Sequence, residues 1–401
     1  MKKVFIVFII CLIAIFSTFL ITSNRIDLSA ITDNLNVISS KFIGNSTPEY
    51  SQDFIVNRLQ MRNATYNFNK LNDTQKIMYS VIANAVKNLN LTADMDNYAS
   101  DNMDKISEDA KVVMTAFFAD HPEVFYLNLT YKLYVSKSLI HDKIKIELSY
   151  SVKDENELEL KLNQIESVME SYIGGLAGKS DFDKELYIHD NIAKDVKYYN
   201  EITNIEDVPE KYHTIYGTFI EKQAVCDGFA KAMQILLDKV NIENIFITGN
   251  IDETPHAWNM VKFDLEWYHL DLTSDKYVKE DDGTTKVVVH TYFNVTDEVI
   301  LKSHVIDNKE QNPVAKSTDF NFYIKTNSFI SSVQDFNTRI REIVSAQANN
   351  NSLEFSTDIS DVPNKLLNVL YELNFNGYRN NGTSVKMKYY NEYNTYIVKK
   401  Q

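Results

Sequence analysis

Three residues that can carry out thiol chemistry follow one another in the sequence. Cys226 comes first, His256 follows and Asp271 comes last. A cysteine with these partners can act as a nucleophile, because a histidine can take its proton and a carboxylate can orient that histidine. Without such partners a single cysteine is more often a small buried apolar residue. The ordered set therefore favours covalent catalysis, in which sulfur attacks a carboxamide or peptide carbonyl.

Cys226 is predicted to open a helix. The apolar residues that recur at helical spacing after it are Phe229, Met233, Leu236, Leu237 and Val240. At a helix N-terminus the unpaired N–H groups and the positive end of the helix dipole favour thiolate over thiol. A backbone N–H at the same point is also suited to bind an oxyanion.

The histidine and the aspartate are predicted to lie on one β-hairpin. A strand at 244–249 ends at a glycine, and strands at 256–263 and 266–273 flank a two-residue turn. If the hairpin closes there, His256 and Asp271 lie near the open end of adjacent strands. We therefore expect them to share a hydrogen bond.

A zinc site is the metal-based alternative for the same region. Its ligands would be Cys226, His256, His269 and Asp271. Structural zinc sites usually show closely paired ligands, and the sequence has no Cys-x-x-Cys or His-x-x-x-His. We therefore predict that the protein has no metal ligands and needs no cofactor.

Four other side chains near these motifs have an open role. Trp258 and Trp267 are the only tryptophans of the chain. We expect both to pack in the core of the hairpin rather than to line a substrate-binding surface. Tyr216 and Gln223 are candidates to reach an oxyanion, and the sequence does not place either of them.

The motifs around these residues resemble the transglutaminase-like superfamily of bacterial secreted proteins. They read Ala224-Val225-Cys226-Asp227-Gly228-Phe229-Ala230, then His256-Ala257-Trp258-Asn259, then Trp267-Tyr268-His269-Leu270-Asp271-Leu272-Thr273. The resemblance extends over roughly residues 180 to 305. It implies that Cys226 is the nucleophile, His256 the base and Asp271 the residue that orients the base. It also implies an α+β fold of the papain type, with the cysteine helix packed on an antiparallel sheet.

The length of 401 residues is typical of a protein with two or three folded units. We predict a signal peptide or membrane anchor at 1–24, an irregular stalk at 25–60, an N-terminal α/β region at 61–175, the transglutaminase-like core at 176–315 and a small C-terminal α/β domain at 316–401. The stalk assignment places the start of folded structure near Tyr66.

Periodicity in the flanking regions predicts further elements. In the N-terminal region these are helices from Asn72 to Lys87, at 107–119 and at 155–173, with strands at 131–135 and 143–148. In the C-terminal region they are strands at 320–324, 353–356 and 384–390, with helices at 331–347 and 363–373. No chemical motif appears in the C-terminal region, and its role in substrate or wall binding is a hypothesis.

Charge and targeting signals indicate where the protein acts. The formal net charge of -14 argues against a nucleic-acid partner, because phosphates need a basic surface. Met1-Lys2-Lys3 precedes an apolar run from Val4 to Phe16, which predicts either a secretory signal or an uncleaved membrane anchor. Cys11 lies within this run, so Cys226 is the only thiol of the remaining chain and cannot form an intramolecular disulfide there.

Together these features predict a transglutaminase-like cysteine peptidase, amidase or protein crosslinker at the bacterial cell surface. Its partners would be protein or peptide substrates, including cell-wall peptides, and the membrane through the N-terminal segment. Water as acceptor gives hydrolysis and an amine gives crosslinking, and the sequence does not choose between them. The alternative is a binding scaffold of the cell envelope that keeps the fold without turnover.

Overall fold

The computed structural model describes residues 50–63, 65–96, 98, 102–136, 143–200, 208–275, 286–347 and 352–360, strand residues 7–10, 278–279, 387–390 and 395–399, and positions 362, 365, 366 and 369. The chain forms two compact units, Met1–Ser167 and Val168–Gln401. The residues predicted as core and as C-terminal domain therefore belong to one unit.

The first unit combines helices with an antiparallel sheet. Its elements are β1 (Val7–Ile10), α1 (Gln52–Arg58), α2 (Tyr66–Lys70), α3 (Asp73–Lys87), β2 (Thr92–Asp96), α4 (Met103–Asp120), β3 (Thr130–Ser136) and β4 (Lys143–Glu147), and the unit boundary falls within α5 (Glu155–Ile173). The strand order is β1-β3-β4-β2. Asn72 and Gln75 form a capping box that starts α3, which confirms the predicted helix start.

Helix α1 corrects the predicted stalk, because ordered structure begins before Tyr66. Ser51 caps the helix, whose Phe54 and Ile55 side chains are buried. Arg58 at its end forms ion pairs with Glu159 and Glu166. A helix of 7 residues is too short to show a clear apolar period in the sequence.

Most of the predicted signal or anchor segment, including Cys11, lies outside the described residues. The exception is β1, which pairs with β3. Of the helices in the described ranges, none has the length and apolar character needed to span a membrane.

The second unit begins with the elements that carry the predicted site. They are α6 (Asp181–Asp195), β5 (Lys197–Tyr198), a 3₁₀ turn (Glu210–His213), a π turn (Gly217–Glu221), β6 (Gln223–Ala224), α7 (Cys226–Lys239), β7 (Asn244–Ile251), β8 (Thr254–Phe263), β9 (Glu266–Leu270), β10 (Val278–Lys279), β11 (Lys286–Val287), β12 (Phe293–Val295), α8 (Asp297–Ile300), β13 (His304–Ile306) and a second 3₁₀ turn (Lys309–Gln311). A five-stranded antiparallel sheet has the order β12-β9-β8-β7-β13, and α7 packs on β7 and β8. The predicted α+β class, with a cysteine helix on an antiparallel sheet, is confirmed.

The β8–β9 hairpin closes at the predicted two-residue turn. Asp264 and Leu265 have φ of 49° and 73°, and Phe263 pairs with Glu266. Two successive positive φ values are typical of the turn that matches the twist of paired strands. The turn therefore fixes the register that carries His256 and Asp271.

The C-terminal part of this unit has its own sheet. It contains α9 (Phe322–Lys325), β14 (Phe329–Ile330), α10 (Phe336–Ala346), β15 (Ser352–Thr357), β16 (Met387–Tyr390) and β17 (Thr395–Lys399), with the strand order β14-β15-β17-β16. The strand predicted at 320–324 is wrong, because Asn321 caps the Tyr323 N–H and starts a short helix there. Most of the helix predicted at 363–373 lies outside the described residues.

Candidate active site

The cysteine lies at the first position of α7, as the sequence predicts. Its helix start is held from outside, because the Val225 N–H donates to the Tyr212 carbonyl oxygen at 3.1 Å. At Gly228 a Cβ would lie 2.5 Å from the same Tyr212 oxygen, so only glycine permits this close approach. These contacts fix the position of the first turn of α7, and with it the position of the Cys226 side chain.

A buried ion-pair network supports the same turn. Asp227 accepts a hydrogen bond from His213 Nδ1 at 2.9 Å, and Lys231 Nζ lies 3.3 Å from the other oxygen of Asp227. Lys231 also donates to the His213 carbonyl oxygen at 2.7 Å. Burial opposes ionisation of Asp227, but His213 and Lys231 outweigh it and lower the pKa of this carboxyl. The negative charge of Asp227, the residue after the cysteine, is therefore balanced within this network.

His256 and Asp271 are joined at the open end of the hairpin. His256 Nε2 donates to Asp271 Oδ2 at 2.8 Å, and Asp271 is fully buried. Cys226 acts on the same imidazole, because it is among the groups that raise the pKa of His256. Because Nε2 is occupied by Asp271, Nδ1 is the ring nitrogen left for the sulfur. The structure thus brings the three predicted site residues together in the order thiol, imidazole and carboxylate.

The charge of the pair favours a protonated imidazole. Burial lowers the pKa of His256, but the Asp271 carboxylate and the contact with Cys226 raise it to about 10. Burial likewise opposes ionisation of Asp271, and His256 is the leading cause that holds the pKa of this carboxyl well below its usual value. A histidine in this state can donate a proton to a leaving amine at neutral pH.

Asp271 is held by four donors. Oδ2 accepts from His256 and, at 3.0 Å, from His304 Nε2. Oδ1 accepts the Thr273 and Ser274 N–H groups at 3.0 and 3.1 Å. An ionised carboxylate offers about four acceptor positions, so every one of them is used here.

Tyr198 is the aromatic residue that the sequence did not assign to the site. Strand β5 pairs it with Ala224, two residues before the cysteine. Burial raises the pKa of Tyr198, and the charges of Cys226, Asp227 and Asp271 raise it further. The phenol is therefore within electrostatic reach of the sulfur and keeps its proton, so it can act as a hydrogen-bond donor there.

The structure does not bring His269 together with the other ligands of the alternative zinc site. His269 Nδ1 accepts from Trp258 Nε1 at 3.0 Å and its Nε2 lies 3.1 Å from Asp297. Trp258 is buried, as predicted for a core residue, and Trp267 is half-buried.

In the described part of the chain, two other groups have donor atoms within 4.8 Å of one another, which would suit a cation. One group is His256, Asp271 and His304, and the other is His189, Asp190 and His290. In both groups the carboxylate already accepts hydrogen bonds from the two histidines. The prediction of no metal remains a prediction.

The second group belongs to a buried polar cluster that the sequence did not reveal. His290 Nε2 lies 2.9 Å from Asp190 and its Nδ1 lies 2.8 Å from Glu354 on β15. His189 contacts Asp190 at 3.1 Å and Asp275 at 3.4 Å. Burial raises the pKa of Asp275 to about 6, against the opposing effect of His189. The Asp275 N–H donates to the Asp271 carbonyl oxygen at 3.0 Å, so this cluster adjoins the site.

The fold and the site define an α+β domain in which a cysteine at a helix start lies with a hydrogen-bonded histidine and aspartate on the adjoining sheet. Residues 170–272 match the family model described as the transglutaminase-like superfamily, and this segment of the chain is a transglutaminase-like core. The family resemblance found in the sequence is therefore confirmed.

Two solved structures are similar to part of the chain at low identity. A TGase crystal structure is 16% identical over 38% of this chain and 46% of its own, with a TM-score of 0.26. A proposed cysteine protease from Cytophaga hutchinsonii is 16% identical over 37% of this chain and 57% of its own, with a TM-score of 0.23. The chain thus spans about half the length of these structures. No curated protein matches the sequence.

Proposed function

We propose that the protein is a thiol acyl-transfer enzyme that forms a thioester on Cys226 from a carboxamide or peptide carbonyl. The observation that carries this proposal is the line of side chains from Cys226 through His256 to Asp271, closed by the 2.8 Å hydrogen bond between the last two. The position of the sulfur at the first residue of α7 supports the same chemistry.

The reaction follows from the geometry in two stages. The proton of the Cys226 thiol rests on His256, as the raised pKa of this imidazole favours, and the sulfur bonds to the carbonyl carbon. The carbon–nitrogen bond then breaks as His256 returns the proton to the departing ammonia or amine, which leaves a thioester. Water or an amine attacks the thioester, His256 takes the proton of that nucleophile, and the thiol is regenerated as the acid or new amide leaves.

We assign the oxyanion of each stage to backbone N–H groups at the start of α7 and to the Tyr198 phenol. Strand pairing sets Tyr198 beside Ala224, two residues before the cysteine, and the charge of Cys226 contributes to the raised pKa of the phenol. We therefore assign the oxyanion role to Tyr198 rather than to Tyr216 or Gln223, the two candidates from the sequence.

We further propose that this chemistry takes place on the outer face of a bacterial cell membrane, on surface or wall peptides. The support is the apolar run that follows Met1-Lys2-Lys3 and the single thiol of the remaining chain. Protease treatment of intact cells tests the location. Loss of the full-length band without lysis is expected, and complete protection would contradict the proposal.

A test of catalysis uses a glutamine-containing peptide with a fluorescent primary amine. The native protein is expected to release ammonia, to incorporate the amine or to do both, and Cys226→Ala and His256→Ala are expected to do neither. Release of ammonia without incorporation indicates hydrolysis, and incorporation indicates crosslinking. If the Cys226→Ala variant retains the activity, the assigned nucleophile is wrong.

A non-catalytic scaffold is the second candidate, and the burial of the site favours it. Cys226 is 5% exposed and His256 is 7% exposed, so little of either residue is open to a substrate carbonyl. In this case the cellular effect of the protein would survive Cys226→Ala. Loss of the effect in that variant, with normal protein level and folding, would exclude the scaffold.

A further inference from the structure

We propose that His304 is a positioning residue of the same site, which holds the Asp271 carboxylate for His256 and extends the catalytic line to four side chains. This inference rests on the proposed thiol chemistry. His304 does not contact Cys226 directly, and it acts through the carboxylate that both histidines share.

The strand pairing explains why two distant histidines meet. Gly249 on β7 pairs with His256 on one side and with Ile306 on the other. Side chains two residues apart on a strand share a face, so His304 lies on the same face of the sheet as His256. The edge strand β13 therefore brings a residue from beyond the hairpin back to its open end.

Close packing of rings holds this arrangement. At Gly249 a Cβ would lie 1.9 Å from the Val305 carbonyl oxygen and 2.9 Å from the Trp258 ring, so the strands approach this closely only with glycine. The Trp258 ring packs against His256 at 5.8 Å and against His304 at 5.1 Å between centroids. The indole thus fixes the angle at which both imidazoles face Asp271.

Hydrogen bonds fix the orientation of the His304 ring. An ionised carboxylate only accepts hydrogen bonds, so His304 Nε2 must donate to Asp271 Oδ2, at 3.0 Å. The other nitrogen, Nδ1, lies 2.8 Å from Ser303 Oγ, which in turn lies 3.0 Å from the Tyr292 hydroxyl. Both ring nitrogens therefore have fixed partners, and His304 is fully buried.

This arrangement has a direct consequence for catalysis. Without the His304 donor, Asp271 Oδ2 would keep only the hydrogen bond from His256, and the carboxylate would lose one of its four restraints. A hydrogen bond to a charged group is among the stronger ones in proteins. Its loss is expected to misplace the His256 ring and slow proton transfer with Cys226.

Two conservative variants separate positioning from simple support of the fold. In His304→Gln the amide nitrogen can reach the place of Nε2 and can still donate to Asp271. In His304→Asn the shorter amide can reach only the place of Nδ1, so the contact with Ser303 is kept and the donor to Asp271 is lost. Both variants keep a polar, buried side chain.

The experiment measures alkylation of Cys226 by iodoacetamide at pH 7 in the full chain, with peptide mass spectrometry to separate Cys226 from Cys11. His304→Asn is expected to slow the rate about tenfold, which is at the lower end for loss of a hydrogen bond to a charged group. The rate of His304→Gln is expected to stay within about threefold of the native rate. Thermal unfolding of each variant reports the contribution to folding separately.

Equal rates in the native protein and His304→Asn would overturn the inference, and so would equal losses in the Asn and Gln variants. His256→Ala distinguishes this result from a failure of the proposed function, because a native thiol that is indifferent to His256 overturns both. The rates are also measured after treatment with EDTA. A loss of rate after that treatment would show that a cation, rather than a hydrogen bond, joins the three residues.

Discussion

Replacing Glu354 by Gln is expected to destabilise the second unit, because this carboxylate is one of two that flank the buried imidazole of His290. Glu354 lies 2.8 Å from His290 Nδ1, and Asp190 lies 2.9 Å from Nε2. The ring of Phe322 stacks on the imidazole at 3.8 Å between centroids, so water is excluded from that face. Glu354 also accepts the Tyr323 hydroxyl at 2.7 Å.

The pKa of His290 gives the size of the expected loss of stability. Burial lowers it, but the charges of Glu354 and Asp190 raise it from 6.5 to about 10. At about 1.4 kcal/mol per unit, this rise corresponds to about 5 kcal/mol of stability shared by the two carboxylates. Gln keeps an acceptor oxygen and loses the charge, so we expect Glu354→Gln to cost about 2 to 3 kcal/mol at pH 6.

The sign of the pH dependence follows from the direction of the shift. The pKa of His290 is higher in the folded than in the unfolded protein, so its contribution to stability is complete below about pH 6.5. The contribution is lost as pH rises from there through about 10. The difference between the native protein and Glu354→Gln should therefore be largest at pH 6 and much smaller near pH 10.

Urea unfolding followed by tryptophan fluorescence measures this difference. Both tryptophans, Trp258 and Trp267, lie on the β8–β9 hairpin, so their signal reports the second unit. Glu342→Gln is the matched control, because Glu342 lies on α10 and is exposed, and its surface ion pair with Arg339 is worth at most about 1 kcal/mol. If Glu354→Gln behaves as the control at both pH values, the buried ion pair is much weaker than the pKa of His290 implies.

Three further changes test the site and its scaffold. Lys231→Met leaves Asp227 without its buried lysine and should cost about 3 to 5 kcal/mol in urea unfolding, whereas Lys239→Met at the exposed helix end should change little. Tyr198→Phe should slow acylation about a hundredfold with unchanged stability, and a loss no greater than that of Tyr199→Phe would remove the phenol from the oxyanion role. Leu265→Gly should stabilise the protein by about 1 kcal/mol in thermal unfolding, because Leu265 has a φ of 73° and is 85% exposed; a lower melting temperature would contradict this.

Local sequence signals were sufficient for the parts of the site that lie on one supersecondary element. The helix period places Cys226 at the start of α7, and the length of the hairpin turn sets His256 beside Asp271. These relations need only nearby residues, because helix and hairpin geometry is short-ranged. The strand predicted at 320–324 failed for a related reason: its alternating aromatic pattern competed with the Asn321 cap, and the cap prevailed.

The sequence does not predict contacts between distant segments, although it shows the residues that make them. His304 appears in the sequence without any spacing relation to Asp271, and it reaches the carboxylate only because β13 pairs with β7 at the edge of the sheet. Glu354 reaches His290 from the C-terminal sheet in the same non-local way. Such contacts depend on strand order, which one sequence does not fix.

The contact between Glu354 and His290 also changes how a C-terminal truncation should be interpreted. Removing the chain from about Lys316 would be a direct test of the hypothesis that this region binds substrate. The structure shows that it would also remove Glu354 and Phe322, two of the residues that contact the His290 ring. Lost activity in that truncation would therefore report the loss of these buried contacts as readily as a lost substrate site. Glu354→Gln is the better comparison, because it removes one charge from the cluster and leaves the rest of the C-terminal region in place.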